Sequence, residues 1–257
     1  MKSRKSVSLS SIVSYLDKEL RIREISDSSN NGLQVENAGK VMRVACGVDA
    51  SLEFFEAAQK RGANLLIVHH GLSWKDSLKM ITHLNYKWIK FLVDNDMALY
   101  GCHLPLDTHP KHGNNVLIGR ALGLKNLKPF GAYEGSKIAW SGNIPAGMKY
   151  VQFRQNVAKV FGRELMEMNF GPGLVKNVVV VSGGGCGLLS DAVEAGADMF
   201  VSGEPTLAGR NLLKDAGLNG LFGGHYVTEM FGVKALAEVV KRKYGIPAEF
   251  IDLGIKS

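Results

Sequence analysis

No apolar run in this sequence approaches the ~20 residues that a membrane-spanning helix needs; the longest, such as Val178–Val181, are strand-sized. Met1–Lys5 is basic, but Ser6–Leu16 is broken by serines and runs straight into Asp17-Lys18-Glu19, which makes a poor signal peptide. Cysteine is scarce. The three present (Cys46, Cys102 and Cys186) lie far apart, form no C-x-x-C, and each sits in an apolar, strand-like stretch. They are expected to be buried thiols of a reducing compartment. These absences predict a soluble, cytoplasmic protein. Nucleotide-loop and nucleophile signatures are missing too. Gly183-Gly184-Gly185 could cradle a phosphate through backbone N–H groups at a helix start, but it lacks the Lys-Ser/Thr of a P-loop and does not fit G-x-G-x-x-G with an acidic partner. A tight turn is the expectation there. No G-x-S-x-G elbow exists.

What is present is an ordinary globular composition. The 257 residues are 46% hydrophobic and 21% charged, enough for a real core in one large domain or two modest ones. Lys+Arg 31 against Asp+Glu 24 leaves a net charge of +7. The excess is diffuse, dense only at Lys2, Arg4, Lys5 and at Lys241-Arg242-Lys243. It suits small anionic ligands such as nucleotides or phosphates and is too thin to indicate nucleic-acid binding.

Apolar strands alternate with helical patterns along most of the chain. Ser8–Ile22 predicts an opening helix; strands are expected at Val41–Asp49, Asn64–His70 and Met97–His103, with helices at Ser51–Arg61, within Trp74–Asp94 and at His112–Leu122. After strand-like pieces in 125–175 (among them Lys137–Ile144, ended by Pro145) and a helix at Val151–Phe161, the alternation resumes. It runs through strands Val178–Ser182, Met199–Ser202, Gly220–Gly223 and Ala248–Leu253 and helices Leu188–Glu194, Thr206–Asp215 and Thr228–Tyr244. Residues 44–70 and 178–204 form a faint repeat of strand, glycine loop, helix, Gly-Ala and strand. The fold class is therefore α/β, with two related lobes of mixed, largely parallel sheets flanked by helices and a site at the strand C-terminal ends. One lobe is expected from 1–125 with about 220–257, carrying the metal ligands, and the other from about 126–219.

Three strand ends carry candidate chemistry. His69-His70 closes an apolar strand, where α/β proteins place ligands; each imidazole could meet a different ion of a close pair, the bland alternative being one packed and one solvated histidine. Cys102–Pro110 offers His103, Asp107 and His109, and a carboxylate among imidazoles can bridge two ions about 3.5–4 Å apart. His225 and Glu229 stand at i and i+4, on one face if a helix begins there, the alternative being a surface pair. Glu204, after another strand, either lines the same cavity or is a helix N-terminal acid. Of the seven histidines, all but His83 lie in or near these segments. Mixed nitrogen and carboxylate donors suit Zn²⁺, Mn²⁺, Fe²⁺ or Ni²⁺ rather than Ca²⁺ or Mg²⁺. The constellation reads as a dinuclear metal centre.

Asn30-Asn31-Gly32-Leu33-Gln34-Val35, Val68-His69-His70-Gly71-Leu72, Leu106-Asp107, His109-Pro110, Gly113-Asn114-Asn115, Val201-Ser202-Gly203-Glu204 and Gly224-His225-Tyr226-Val227-Thr228-Glu229 resemble, in order and over the whole chain, the Nif-three-like family of dinuclear-metal proteins, the type 2 GTP cyclohydrolase I homologues. The chain looks like the short form without the inserted domain. The resemblance implies metal ligands at His69, His70, Asp107, His225 and Glu229, with Asp107 and Glu229 bridging, and a toroidal homohexamer. Many relatives read His-Thr-Asn-Leu-Asp where this chain has His103-Leu104-Pro105-Leu106-Asp107, so Pro105 removes a side chain that could touch substrate.

The expected function is a hydrolase using two divalent ions on a nucleotide or other phosphorylated metabolite. For GTP, water would attack the imidazole carbon, opening the ring and releasing formate, while His103 or His109 shuttles protons. The competing expectation is a non-enzymatic metal-binding scaffold, regulatory or metal-delivery protein.

Overall fold

The computed structural model describes residues 5–255, so Lys2 and Arg4 of the N-terminal basic cluster lie outside the described residues. The chain divides into two compact units. One comprises the chain up to Leu106 together with Gly232–Gly254; the other is built by Asp107–Phe231. No helix among the described residues is long and apolar enough to cross a membrane.

The first unit contains β1 (Val7–Ser8), α1 (Leu9–Glu19), β2 (Gly32–Val35), β3 (Lys40–Val41), β4 (Val44–Asp49), α2 (Leu52–Lys60), β5 (Leu65–His70), α3 (His83–Asp94), β6 (Ala98–Gly101) and most of the single turn α4 (Leu104–Asp107). The second holds α5 (Asn114–Ala121), β7 (Lys125–Tyr133), β8 (Ser136–Lys149), α6 (Tyr150–Phe161), β9 (Met166–Met168), β10 (Leu174–Val180), a 3₁₀ turn at Gly185–Leu188, α7 (Leu189–Glu194), β11 (Met199–Ser202), α8 (Leu207–Ala216) and β12 (Asn219–Phe222). Helix α9 (His225–Tyr244) starts in the second unit and ends in the first, where β13 (Ala248–Phe250) follows.

In the first unit the sheet runs β13-β4-β5-β6-β2, parallel except for the edge strand β2. In the second it runs β7-β8-β10-β11-β12-β9, with β10, β11 and β12 parallel and the others antiparallel. The faint repeat corresponds to two matching units: β4-α2-β5 and β10-α7-β11 each join neighbouring parallel strands, a third parallel strand follows, and an antiparallel strand closes that edge. Strands β6, β11 and β12 are buried at every position and β4 and β5 at all but the last, so both faces of these strands are covered, as parallel strands require. Ser51 starts α2 by accepting from Phe54 N at 3.2 Å, and the helix buries Phe54, Phe55 and Ala58. Thr206 does the same for α8 through Gly209 N at 2.9 Å. Phe200, Leu213, Leu189 and Val179 make the core of the second unit.

Several expectations shift. The boundaries fall at 106/107 and 231/232 rather than near 125 and 220. Helix α5 packs on the second sheet, with Asn115 donating to Ile138 O at 2.7 Å and Leu127 filling the space above Gly119. The first turns of α9 belong there too, through Phe231 against Phe161 and Thr228 against Gly183. Asp107, His225 and Glu229 therefore stand in the second unit, not in one lobe with His69 and His70. Pro145 does not end its strand. β8 continues to Lys149, because between the Asn143↔Asn177 and Met148↔Val175 pairs the ladder is irregular and the missing N–H is not needed. Strand Val41–Asp49 is two pieces, helix α9 starts three residues before Thr228, β2 is an additional strand, and the strand-like pieces of 125–175 resolve into β7, β8, β9 and the start of β10. Cys46 and Cys102 are buried as expected, but Cys186 lies in the 3₁₀ turn and is only half-buried.

Because Phe200 is fully buried at the centre of the second sheet, Phe200→Ala is expected to cost about 3–5 kcal/mol in denaturant unfolding. Val151→Ala, at a position 60% exposed, should change stability by no more than about 0.5 kcal/mol.

Candidate metal centre

Within the first unit, the strand ends deliver three imidazoles to one place. Asp49 ends β4, His69 and His70 end β5, and the chain leaving β6 carries Cys102 and His103. The rings of His69 and His70 do not diverge as in an ideal strand: their centroids are 4.7 Å apart, with His103 at 5.1 Å from His69 and 5.6 Å from His70. One nitrogen of each of these three residues lies within 4.8 Å of the others, so they could share an ion.

Each ring is oriented from behind. His69 Nδ1–H donates to Cys102 O at 2.9 Å. His70 Nδ1–H donates to Asp49 Oδ1 at 2.8 Å, Asp49 being its neighbour across the β4–β5 ladder. His103 Nδ1–H reaches both oxygens of Asp27, at 2.9 and 3.1 Å. Carbonyl and carboxylate oxygens only accept, so each Nδ1 carries a proton, and Nε2 is the nitrogen left to offer a lone pair to a metal. Asp27 is itself held by Ser29 N, Asn31 Nδ2 and Leu104 N. Burial alone would raise its pKa, but the hydrogen bond and charge of His103, with Asn31 and Ser29, pull it below the usual carboxylate value.

The Asn30–Val35 motif turns out to be a brace. Asn31 Oδ1 accepts from His103 N at 2.7 Å, and Gln34 Oε1 accepts from Leu72 N and Ser73 N just after the histidine pair. Gly71 and Gly101 make room for that glutamine: a Cβ on Gly71 would collide with its amide, and one on Gly101 would lie 2.8 Å from Nε2.

In the second unit, Asp107 is buried and accepts from Asn114 Nδ2 at 2.9 Å and Ser182 Oγ at 3.3 Å. His225 and Glu229 do lie on one helix face, with His225 Nε2 3.1 Å from Glu229 Oε1. His225 Nδ1 faces Glu204 Oε1 at 3.1 Å, so the outer-partner pattern recurs and Glu204 acts through His225. The hydrogen bond to Glu229 first, then its charge and Glu204, outweigh burial and raise His225 to about 9.

The glycine loop proves to be a spacer for these residues. Gly183 has φ +61°, and a Cβ there would collide with Glu229 Oε1 and stand 2.9 Å from His225 Nε2. Ser182 and Gly183 thus bring Asp107 and the His225–Glu229 pair to adjacent positions of one loop. His109 differs from the other four rings. It is buried and stacked on His112, and its Nδ1 accepts from Lys111 N and His112 N, which puts its proton on Nε2.

Asp27 and Asp49 escape the sequence because single carboxylates carry no spacing signal, and Gln34 is part of the Asn30–Val35 motif but its bracing role depends on contacts the motif does not record. The donor set, imidazole Nε2 lone pairs with buried carboxylates, fits borderline divalent ions such as Zn²⁺, Fe²⁺, Mn²⁺ or Ni²⁺. Imidazole ligands characteristically donate their second nitrogen to a carboxylate or carbonyl, as these four do.

A family model described as Duf34/NIF3 (NGG1p interacting factor 3) matches residues 7–254. A protein of Archaeoglobus fulgidus named "GTP cyclohydrolase 1 type 2 homolog" is 40% identical over 247 residues, 96% of this chain and 98% of that one. A Deinococcus radiodurans protein of the same name is 39% identical over 241 residues, 94% and 91% of the two chains. Among solved structures, TTHA1606 from Thermus thermophilus has a TM-score of 0.89 and 36% identity, covering 98% of this chain and 100% of its own.

Asp49→Asn and Glu204→Gln, behind the proposed ligands His70 and His225, should each weaken divalent-metal affinity by about 10–100-fold in competition with a chromophoric chelator; unchanged affinity would remove these carboxylates from the site. Gly183→Ala should weaken it as well, through displacement of Glu229 and His225. In metal-free protein, His225 has a folded pKa above its ordinary 6.5, so its stabilising contribution is complete below that value and is lost as pH rises through about 9. Denaturant midpoints measured across this window should fall for the parent and stay flatter for His225→Gln.

Proposed function

The chain belongs to the Duf34/NIF3 family, and from that premise we propose that it is a metal-dependent hydrolase with a dinuclear divalent-metal centre. Its substrate would be a nucleotide or another phosphorylated metabolite, in line with the name its relatives carry. His69, His70, Asp107, His225 and Glu229 would hold two ions of Zn²⁺, Fe²⁺, Mn²⁺ or Ni²⁺, with Asp107 and Glu229 bridging. When bound, such a pair supplies Lewis acidity and a water acidic enough to be a nucleophile near neutral pH.

The observation that carries this reading is the shared posture of four imidazoles, each with Nδ1 turned to an acceptor-only oxygen. A histidine that merely fills space has no need of a dedicated buried carboxylate such as Asp27. His103, gripped by that carboxylate, would accept a proton at Nε2; His109, carrying its proton on Nε2, would donate one. The net charge of +7 favours an anionic substrate. The free cysteines suit the cytoplasm. Met80, Ile81, Leu84 and Val93, on and just before α3, are more than half exposed, which supports burial against another copy in a homo-oligomer, a toroidal hexamer by the sequence resemblance.

Metal content of gently purified protein tests the reading. The parent should carry about two divalent ions per chain and the double variant His69→Ala/His225→Ala should lose them. Turnover should then be found with GTP or a phosphoester. A parent that takes up no Zn²⁺, Mn²⁺ or Fe²⁺ sinks the metal centre; a loaded parent that leaves every such substrate untouched favours a metal-binding scaffold.

A further inference from the structure

The loop leaving β5 carries Trp74 to the edge of the histidine cluster. Its ring centroid lies 5.0 Å from that of His103, in an edge-to-face arrangement, and 6.0 Å from that of His70. The indole N–H donates to Gly71 O at 2.8 Å, and the backbone N–H to Ser77 Oγ at 2.9 Å. A β-bridge joins Trp74 to Ser29, and Asn30 Nδ2 donates to Ser73 Oγ and Lys75 O on either side. This side chain is therefore held at a set position, yet it is only half-buried, whereas Phe54 and Phe55 of the same unit are fully buried in its core. A tryptophan whose one polar atom is already spent offers a ligand only its π surface. Lys75, the next residue, is exposed.

We propose, resting on the reading of the site given above, that Trp74 is a stacking residue for the planar heteroaromatic base of a free nucleotide, which it holds beside His70 and His103. Stacking fixes the plane of a ring while tolerating its identity, because every base has a π face. Lys75 supplies the positive charge that the phosphate of such a ligand calls for. The alternative, in which Trp74 only packs against the imidazoles, makes the opposite forecast: its removal would loosen the metal and leave base recognition unaffected.

The test compares GMP with ribose 5-phosphate, which differ by the base alone. Each is titrated calorimetrically into metal-loaded parent, Trp74→Ala and Trp74→Phe, with metal content measured on all three. GMP should bind the parent and quench its tryptophan fluorescence. Trp74→Ala should keep the parental metal content and its ribose 5-phosphate affinity while binding GMP about tenfold or more weakly. Trp74→Phe should restore most of the difference. Parental GMP affinity in Trp74→Ala, or loss of its metal, overturns the stacking role. Tighter binding of a single-stranded oligonucleotide than of GMP overturns the assignment to a free nucleotide. If the parent itself holds no metal, the hydrolase reading fails, and quenching by GMP in the metal-free parent but not in Trp74→Ala still decides the stacking on its own.

Discussion

An imidazole that donates its Nδ1–H to a fixed oxygen has one lone pair left, and that lone pair points in one direction. The first unit meets this constraint three times, at His69, His70 and His103, through Cys102 O, Asp49 and Asp27, whereas His225 in the second unit faces a carboxylate oxygen at each nitrogen, Glu204 at Nδ1 and Glu229 at Nε2. The acceptors are not interchangeable. A backbone carbonyl serves the fully buried His69, where an extra charge would be costly to bury. Carboxylates serve the half-buried rings. Asp27 is the buried exception, and it is tolerated because His103, Asn31, Ser29 and Leu104 all donate to it.

The same economy of position explains the glycines. Side chains from separate segments meet only if the backbone between them stays thin. Gly183 does this for Glu229 and His225, and Gly71 and Gly101 do it for Gln34, whose amide pins the turn after the histidine pair. A loop that looks from composition like a phosphate cradle is, by its contacts, the gap into which a carboxylate and an imidazole fit. The opposite placement of the proton on His109, on Nε2 instead of Nδ1, separates it chemically from the four rings although it lies in the same stretch of sequence as His103.

Much of this was legible beforehand. The alternation of apolar strands with helices predicts the parallel strands of both sheets but not the antiparallel pairs of the second, and the strand ends at His70 and Phe222 fall at or next to the expected positions. His69, His70, Asp107, His225 and Glu229 could be singled out because histidines and acids clustered at strand ends are uncommon. The unit boundaries were not legible. They depend on which sheet α5 and the start of α9 cover, and apolar periodicity reports that a helix has a buried face without reporting what that face meets. The bounds of edge strands were not legible for a similar reason: β7 is largely exposed and carries Pro129 and Gly131, so it has no strong alternating pattern.

By itself the sequence determined the fold class and the standing of candidate nitrogen and oxygen donors at strand ends, because local periodicity and residue type are properties of the chain. Only the tertiary structure decided which nitrogen of each histidine holds the proton, that Asp27, Asp49 and Glu204 stand behind the rings, and that Gly183 is a spacer. Those follow from contacts as distant in sequence as Asp27 with His103 and Gly183 with Glu229. Hydrogen-bond direction and van der Waals clearance act over a few ångströms of space, and no spacing along the chain records them.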